Sequence, residues 1–163
     1  QRGYVDIGFM GGAQIDQYGN LNSSFIGDVD EPTIRLPGTG GGNDIASLTQ
    51  LIVAMIHEKR RFVETVDFVT STGFRQGGSS RAEAGLITGG PAGVVTDLAI
   101  LGFDEVTKRM KVQALHAGVT AEQVQESTGF ELLFDADIDT TEPPTDDELT
   151  VLREFDPDKL YIA

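Results

Sequence analysis

The sequence predicts an α/β domain, and three observations point there. Strand-like runs alternate along the chain with segments of helical apolar period. An extended stretch enters a helix through a turn at residues 38–42 in which four of the five residues are glycine. The chain has 163 residues, 39% of them hydrophobic, enough apolar side chain for one domain with a real core. Residues 1–163 are therefore expected to form a single domain.

Taken in order, residues 4–10 read as a strand already under way, and Gln1-Arg2-Gly3 is no initiator, so further residues ahead of Gln1 are expected. Gln17-Tyr18-Gly19-Asn20 has hairpin-turn chemistry between two short β segments. That turn brings Gln14 and Asn22 near one another; paired amides can orient a carbonyl ligand, although beside a turn a structural role is the commoner one. Thr33 to Pro37 is extended, and Pro37 holds Leu36 out of helical geometry, ending the strand. A helix is expected over about residues 43–57, with Ile45, Leu48, Ile52, Met55 and Ile56 at helical spacing. Asn43 can cap it, Asp44 suits its positive end, and His57 with Lys59, Arg60 and Arg61 suits the other.

Residues 62–69 read as a strand and 72–93 as a long glycine-containing loop. Residues 94–103 and 110–116 make a β-hairpin around 104–109. A short helix follows, with a capping box from Thr120 to Gln123 and a stop at Gly129; a second box, Thr145 to Glu148, opens a helix carrying Leu149 and Leu152. The acidic strip 135–144 between them is expected to be a solvated arm.

The glycine turn is the stretch with the most chemistry. Residues without a Cβ can take positive φ and bring backbone N–H groups against a ligand, and the following helix turns its positive dipole end the same way. This suits an anion or a developing oxyanion. A nucleotide phosphate loop needs Lys and Ser or Thr after the last glycine, where Asn43 and Asp44 stand. The dinucleotide fingerprint needs glycine at the sixth position, which counted from Gly38 is Asn43. The structural alternative is a plain tight connection.

Composition removes several function classes. There is no cysteine, so disulfides, thiol nucleophiles and cysteine-ligated metals are excluded, and two distant histidines, His57 and His116, do not make a metal site. A net charge of -14 argues against a nucleic-acid partner. Lysine is scarce and aspartate outnumbers glutamate, a composition that suits a salt-adapted source. No stretch approaches the roughly 20 apolar residues of a membrane span, so a cytoplasmic location without membrane contact is expected.

Three segments then agree in order and character: GGAQIDQYGNLNSS (residues 11–24), LPGTGGGNDIAS (36–47), and TDLAILGF with ALHAGVTAEQVQESTGF (96–103 and 114–130). In these the chain resembles the second, beta, subunit of family I coenzyme A transferases, of the glutaconate CoA-transferase type, over nearly its full length. The resemblance implies an open α/β fold with a mixed or parallel sheet and flanking helices, related to ribose-5-phosphate isomerase folds. It implies a homologous alpha subunit as partner, acyl-CoA and a carboxylic acid as substrates, and no covalently bound cofactor. In such enzymes a glutamate attacks the acyl-CoA, passes through an anhydride, and becomes a glutamyl-CoA thioester. Gly41 and Gly42 are then the expected oxyanion N–H donors, Gly38, Gly40 and Asn43 the expected CoA contacts, and Gln14 and Asn22 the expected orienting amides.

One feature departs from the family. Its nucleophilic glutamate lies upstream of the segment matched by GGAQID, in a Ser-Glu-Asn-Gly-like turn without counterpart here; Glu83-Ala84-Gly85 lies downstream and is not accepted in its place. The glutamate is therefore expected ahead of Gln1, or absent. Two rivals follow from the same fold: a CoA-dependent ring-opening hydrolase of steroid breakdown, and a non-catalytic ligand-sensing domain. Ser47 and Thr39 stand near the turn without a base partner, which gives serine chemistry little weight.

Overall fold

Among the residues that the computed structural model describes, 2–86 and 88–160, the chain runs β1 (Ile7–Met10), β2 (Gln14–Ile15), β3 (Leu21–Asn22), β4 (Phe25–Gly27), β5 (Pro32–Arg35), α1 (Gly42–Leu48), β6 (Gln50–Ala54), α2 (Ser80–Glu83), β7 (Gly90–Val95), β8 (Ala99–Phe103), β9 (Met110–Leu115), α3 (Ala121–Glu126), β10 (Leu133–Thr140) and α4 (Asp146–Phe155). Six strands form one mixed sheet in the order β1-β6-β7-β8-β9-β10. β1, β6 and β7 are parallel, β7-β8-β9 is an antiparallel meander, and β10 returns parallel to β9. Two antiparallel ribbons, β2-β3 and β4-β5, stand apart from it.

Strand alternation decides which side is core. Val53, Val94, Leu101 and Val112 are in register across four strands and fully buried, forming one cluster with Leu51, Ile15, Leu21, Phe62 and Val124. Each such side chain contributes about 1.5–3 kcal/mol through burial. The alternate positions Ile7, Phe9 and Val95 are exposed.

The open mixed sheet with flanking helices is the expected class, but several elements differ. The helix expected over 43–57 stops at Leu48, where the Thr49 hydroxyl donates to the Ile45 carbonyl, 2.8 Å. The continuous apolar run after it is the interior parallel strand β6, and such a run fits helical spacing as well as it fits a strand. The cap of α1 also differs. Gly41 is the N-cap residue, and the Thr39 hydroxyl, not Asn43, accepts from a first-turn N–H, that of Asn43, at 2.8 Å.

Residues 62–69 form no named strand; Phe62 makes an isolated bridge to Ile15. The stretch 72–93 contains α2 and the start of β7, which admits Pro91 beside a register shift. The run 94–103 is divided by a tight turn in which the Thr96 hydroxyl accepts from the Leu98 and Ala99 N–H groups. The acidic strip 135–144 is not a free arm. Its first half belongs to β10, an edge strand whose Asp135 meets Lys111 at 3.0 Å, and charge on an edge discourages unwanted pairing. Both capping boxes are present as expected, Thr120 with Gln123 and Thr145 with Glu148.

Candidate active site

The glycine turn hangs on the β2-β3 ribbon. The Gly38 N–H donates to the Ser23 carbonyl at 2.8 Å, the Ser23 hydroxyl donates back to the Gly38 carbonyl at 3.0 Å, and the Leu36 N–H reaches the Ser24 carbonyl at 2.9 Å. Gly38 and Gly40 take φ of +88° and +49°, the left-handed region that a side chain would resist. Within the turn the Gly42 N–H donates to the Thr39 carbonyl at 2.7 Å. The N–H groups of Gly40 and Gly41 meet no acceptor among the described residues.

Gly41 and Gly42 therefore differ. A Cβ on Gly41 would touch nothing within 4 Å, whereas one on Gly42 would stand 2.7 Å from Met10 Cε and 3.2 Å from Ser71 Oγ. Gly41 faces open space; Gly42 is buried and faces the core. Asn43 is exposed at the start of α1.

The structure brings Gln14 and Asn22 together, paired across β2-β3. Asn22 is fully buried and gives its two amide hydrogens to Gln14 Oε1 at 2.8 Å and the Phe25 carbonyl at 2.6 Å. Its Oδ1 accepts from the Ser24 N–H at 3.0 Å. Gln14 also donates to Asp67 Oδ2 and accepts from the Asp67 N–H, both at 3.1 Å. These amides hold the ribbon to residues 22–25 and to Asp67.

A second network lies at the tip of the same ribbon, in the turn that the sequence shows, but with side-chain roles that the sequence analysis did not assign. Asp16 is buried and accepts from the Tyr18 and Asn20 N–H groups and from Asn20 Nδ2. Burial pushes its carboxyl above the ordinary value, opposed by those hydrogen bonds. Asn20, 2% exposed, gives its other amide hydrogen to the Arg75 carbonyl at 2.8 Å and accepts from the Gly73 and Arg75 N–H groups at 3.0 and 3.1 Å. Asp at one position with turn N–H groups two and four residues on is a readable Asx signal; a partner 55 residues away in sequence is not.

Arg81 is equally silent in sequence. It is buried, and its guanidinium donates to the carbonyls of Thr72, Gly73, Ala46 and Thr88 at 2.9–3.0 Å, with Ser47 at 3.4 Å. It thus joins the end of α1 to residues 72–73, while Ser71 Oγ, buried without a partner among the described residues, lies beneath Gly42. His57 is no helix cap. It is buried, stacked on Phe62 at 3.9 Å, and bonded to the Thr96 and Thr128 hydroxyls. Desolvation pushes its pKa down to about 4, against the pull of Asp97. No helix among the described residues is long and apolar enough to cross a membrane.

Residues 1–127 match the family model described as coenzyme A transferase. The chain is 44% identical to the second subunit of the glutaconate CoA-transferase of Acidaminococcus fermentans over 96% of its own length and 59% of the relative's. It is 41% identical to the corresponding subunit of the 3-oxoadipate CoA-transferase of Pseudomonas knackmussii, covering 94% and 59%. The cholesterol ring-cleaving hydrolase IpdB subunit of Rhodococcus jostii is 36% identical, with 93% and 60% covered. The solved glutaconate coenzyme A-transferase of Acidaminococcus fermentans superposes with a TM-score of 0.90 over 96% of this chain and 61% of that one. The chain thus spans about 59% of the length of the two transferase relatives.

Proposed function

The chain belongs to the coenzyme A transferase family, and from this we propose that it is part of the second subunit of an enzyme moving CoA between an acyl-CoA and a carboxylic acid, working with a homologous alpha subunit. The observation that carries the reading is the Gly41 N–H, a backbone donor without an acceptor among the described residues, on a turn pinned to Ser23 beside β3. A thioester carbonyl under attack becomes an oxyanion. One preorganised donor at that point contributes about 3 kcal/mol to the transition state. Gly40 has the second open N–H and takes the place first assigned to Gly42, whose N–H closes the turn. Gly38 and Asn43 border the same approach and are assigned to contacts with CoA, the substrate.

The transfer runs through two exchanges at one carboxyl group. A glutamate carboxylate adds to the thioester carbonyl and expels the CoA thiolate, leaving an acyl-glutamyl anhydride. The thiolate then adds to the glutamyl carbonyl and expels the donor acid, leaving glutamyl-CoA. The acceptor acid repeats the two steps in reverse order and leaves as the new acyl-CoA. No residue of this chain is assigned as the nucleophile. Gln14 and Asn22 act one step removed, fixing the ribbon from which the turn hangs. The acids named in the two transferase relatives, glutaconate and 3-oxoadipate, are both dicarboxylates, and a dicarboxylate is proposed as substrate here.

A second reading is supported by the 36% identity to the ring-cleaving hydrolase subunit, in which water is the final nucleophile. One experiment separates the two. The complex of both subunits is incubated with glutaryl-CoA and acetate. Transfer yields acetyl-CoA and glutarate, and borohydride traps a glutamyl-CoA thioester. Absence of acetyl-CoA and of a trapped adduct, with water opening a cyclic CoA thioester offered to the same complex while its thioester survives, would sink the transferase reading.

A further inference from the structure

Beyond the turn, the fold builds a pocket that no step above uses. Its lining includes Asp16 and Asn20 and the apolar side chains of Val69 and Leu86. Around it stand four donors: the Thr65 and Thr72 hydroxyls, the Gln76 amide and the Arg75 guanidinium. None of these four groups has a hydrogen-bond or ion-pair partner among the described residues, in a chain with 26 acidic side chains to 12 basic ones. Arg75 shares the lack of an ion pair among the described residues with Arg2, Arg35 and Arg153, and of these four it is the one that lines this pocket.

The backbone at this arginine is unusual too. Arg75 sits at φ 58°, a left-handed conformation that non-glycine residues resist. It is held there from both sides by one buried amide. Asn20 donates to the Arg75 carbonyl and accepts its N–H, and Asp16 takes the other Asn20 amide hydrogen at 2.8 Å. The Asp16 oxygens are bonded within the hairpin by three donors. A buried acid and a buried amide thus place an arginine at a strained position on a pocket rim. The Arg75 side chain is exposed and its guanidinium has no partner among the described residues, so it is free to meet a ligand with negative charge. The lining adds size and polarity: two apolar side chains together with donor groups suit a short hydrocarbon chain tipped by an anion. Thr72 of the lining follows Ser71, which lies beneath Gly42, so the pocket adjoins the glycine turn through the chain itself.

We propose that this pocket receives the second carboxylate of the dicarboxylate substrate, with the Arg75 guanidinium as its bidentate partner and the Thr65, Thr72 and Gln76 groups as further donors. The assignment rests on the CoA-transfer reading for the identity of the ligand, but not for its binding. Asn20 and Asp16 are positioning residues, acting only through Arg75.

The test uses the complex of both subunits with Arg75→Asn, which tolerates the left-handed backbone while removing the guanidinium, and Arg75→Lys, which keeps charge without the fork. The KM for glutarate relative to that for butyrate is expected to rise about 10- to 100-fold in Arg75→Asn and less in Arg75→Lys, the effect of losing one charge-assisted contact. An unchanged ratio overturns the proposal. A raised KM for acyl-CoA with an unchanged glutarate-to-butyrate ratio also overturns it, since the guanidinium would then read a phosphate of CoA. Direct titration of glutarate separates the pocket from the reaction. Binding lost in Arg75→Asn supports the pocket even if the wild-type complex transfers no CoA, an outcome that would sink the transferase reading instead.

Discussion

The glycine turn and the β2-β3 ribbon are neighbours, joined at Ser23 and Gly38, yet they treat their polar groups in opposite ways. In the ribbon the side-chain amides are committed inward, both the pair expected to orient a ligand and the one at the tip: Asn22 to Gln14 and Phe25, Asn20 to Asp16, Gly73 and Arg75. In the turn four of the five residues have no side chain, and two backbone N–H groups are left open. Side-chain amides and backbone amides thus divide the work. A buried Asn or Gln fixes geometry because leaving it unpaired costs about 1–3 kcal/mol. A backbone N–H at an exposed glycine can wait for a ligand, because water satisfies it until one arrives.

Deleting the turn donor alone tests this division most severely. Gly41→Pro removes the N–H at a residue whose φ of -86° lies near the proline range, and kcat is expected to fall about 100- to 1,000-fold. Gly41→Ala keeps the N–H in open space and should change kcat by less than about threefold, with stability within about 0.5 kcal/mol. Equal losses in both would mean that bulk rather than the donor matters. Next in size, Asn20→Ala should cost about 3 kcal/mol by chemical denaturation, since it removes the donor to the buried Asp16 Oδ2 and frees the Gly73 and Arg75 N–H groups; a loss below about 1 kcal/mol would show that the tip tolerates water.

Gly42→Val tests the other half of the turn. The added methyls meet Met10 and Ser71, and overpacking should lower stability by about 2 kcal/mol while the remaining folded protein keeps most of its kcat. The smallest effect is a slope. Asp16 is held above its ordinary pKa by burial, so the folded state keeps that proton longer than the unfolded one. Its contribution is full below the unfolded value of 3.8 and declines as pH rises through the folded pKa. Asp16→Asn should flatten stability against pH just above that value, and an unaltered curve would assign the slope elsewhere.

What could be read from the sequence follows the range of the interactions involved. The two capping boxes, the Gln14–Asn22 neighbourhood and the glycine turn are specified by residues a few positions apart, and all stand in the structure. β6 was hidden inside a helical period because an interior strand needs apolar residues on both faces, and Leu51, Ile52 and Val53 satisfy either geometry. β10 was hidden by its charge: three aspartates on an edge strand look like a solvated arm until Lys111 and β9 are beside it. The clamp on Arg75 and the grip of Arg81 join residues 34–55 positions apart, and no local pattern announces them.

Arg81 has a consequence for ionic strength. The exposed pairs Arg60–Glu58 and Lys111–Asp135 lie in water, where screening over about 3 Å at 1 M salt weakens them. Arg81 donates only to carbonyls and does so from a buried position, beyond the reach of counterions. The end of α1 and the segment leading to Arg75 are therefore joined by contacts that dissolved salt leaves nearly untouched, whatever it does to the acidic surface around them.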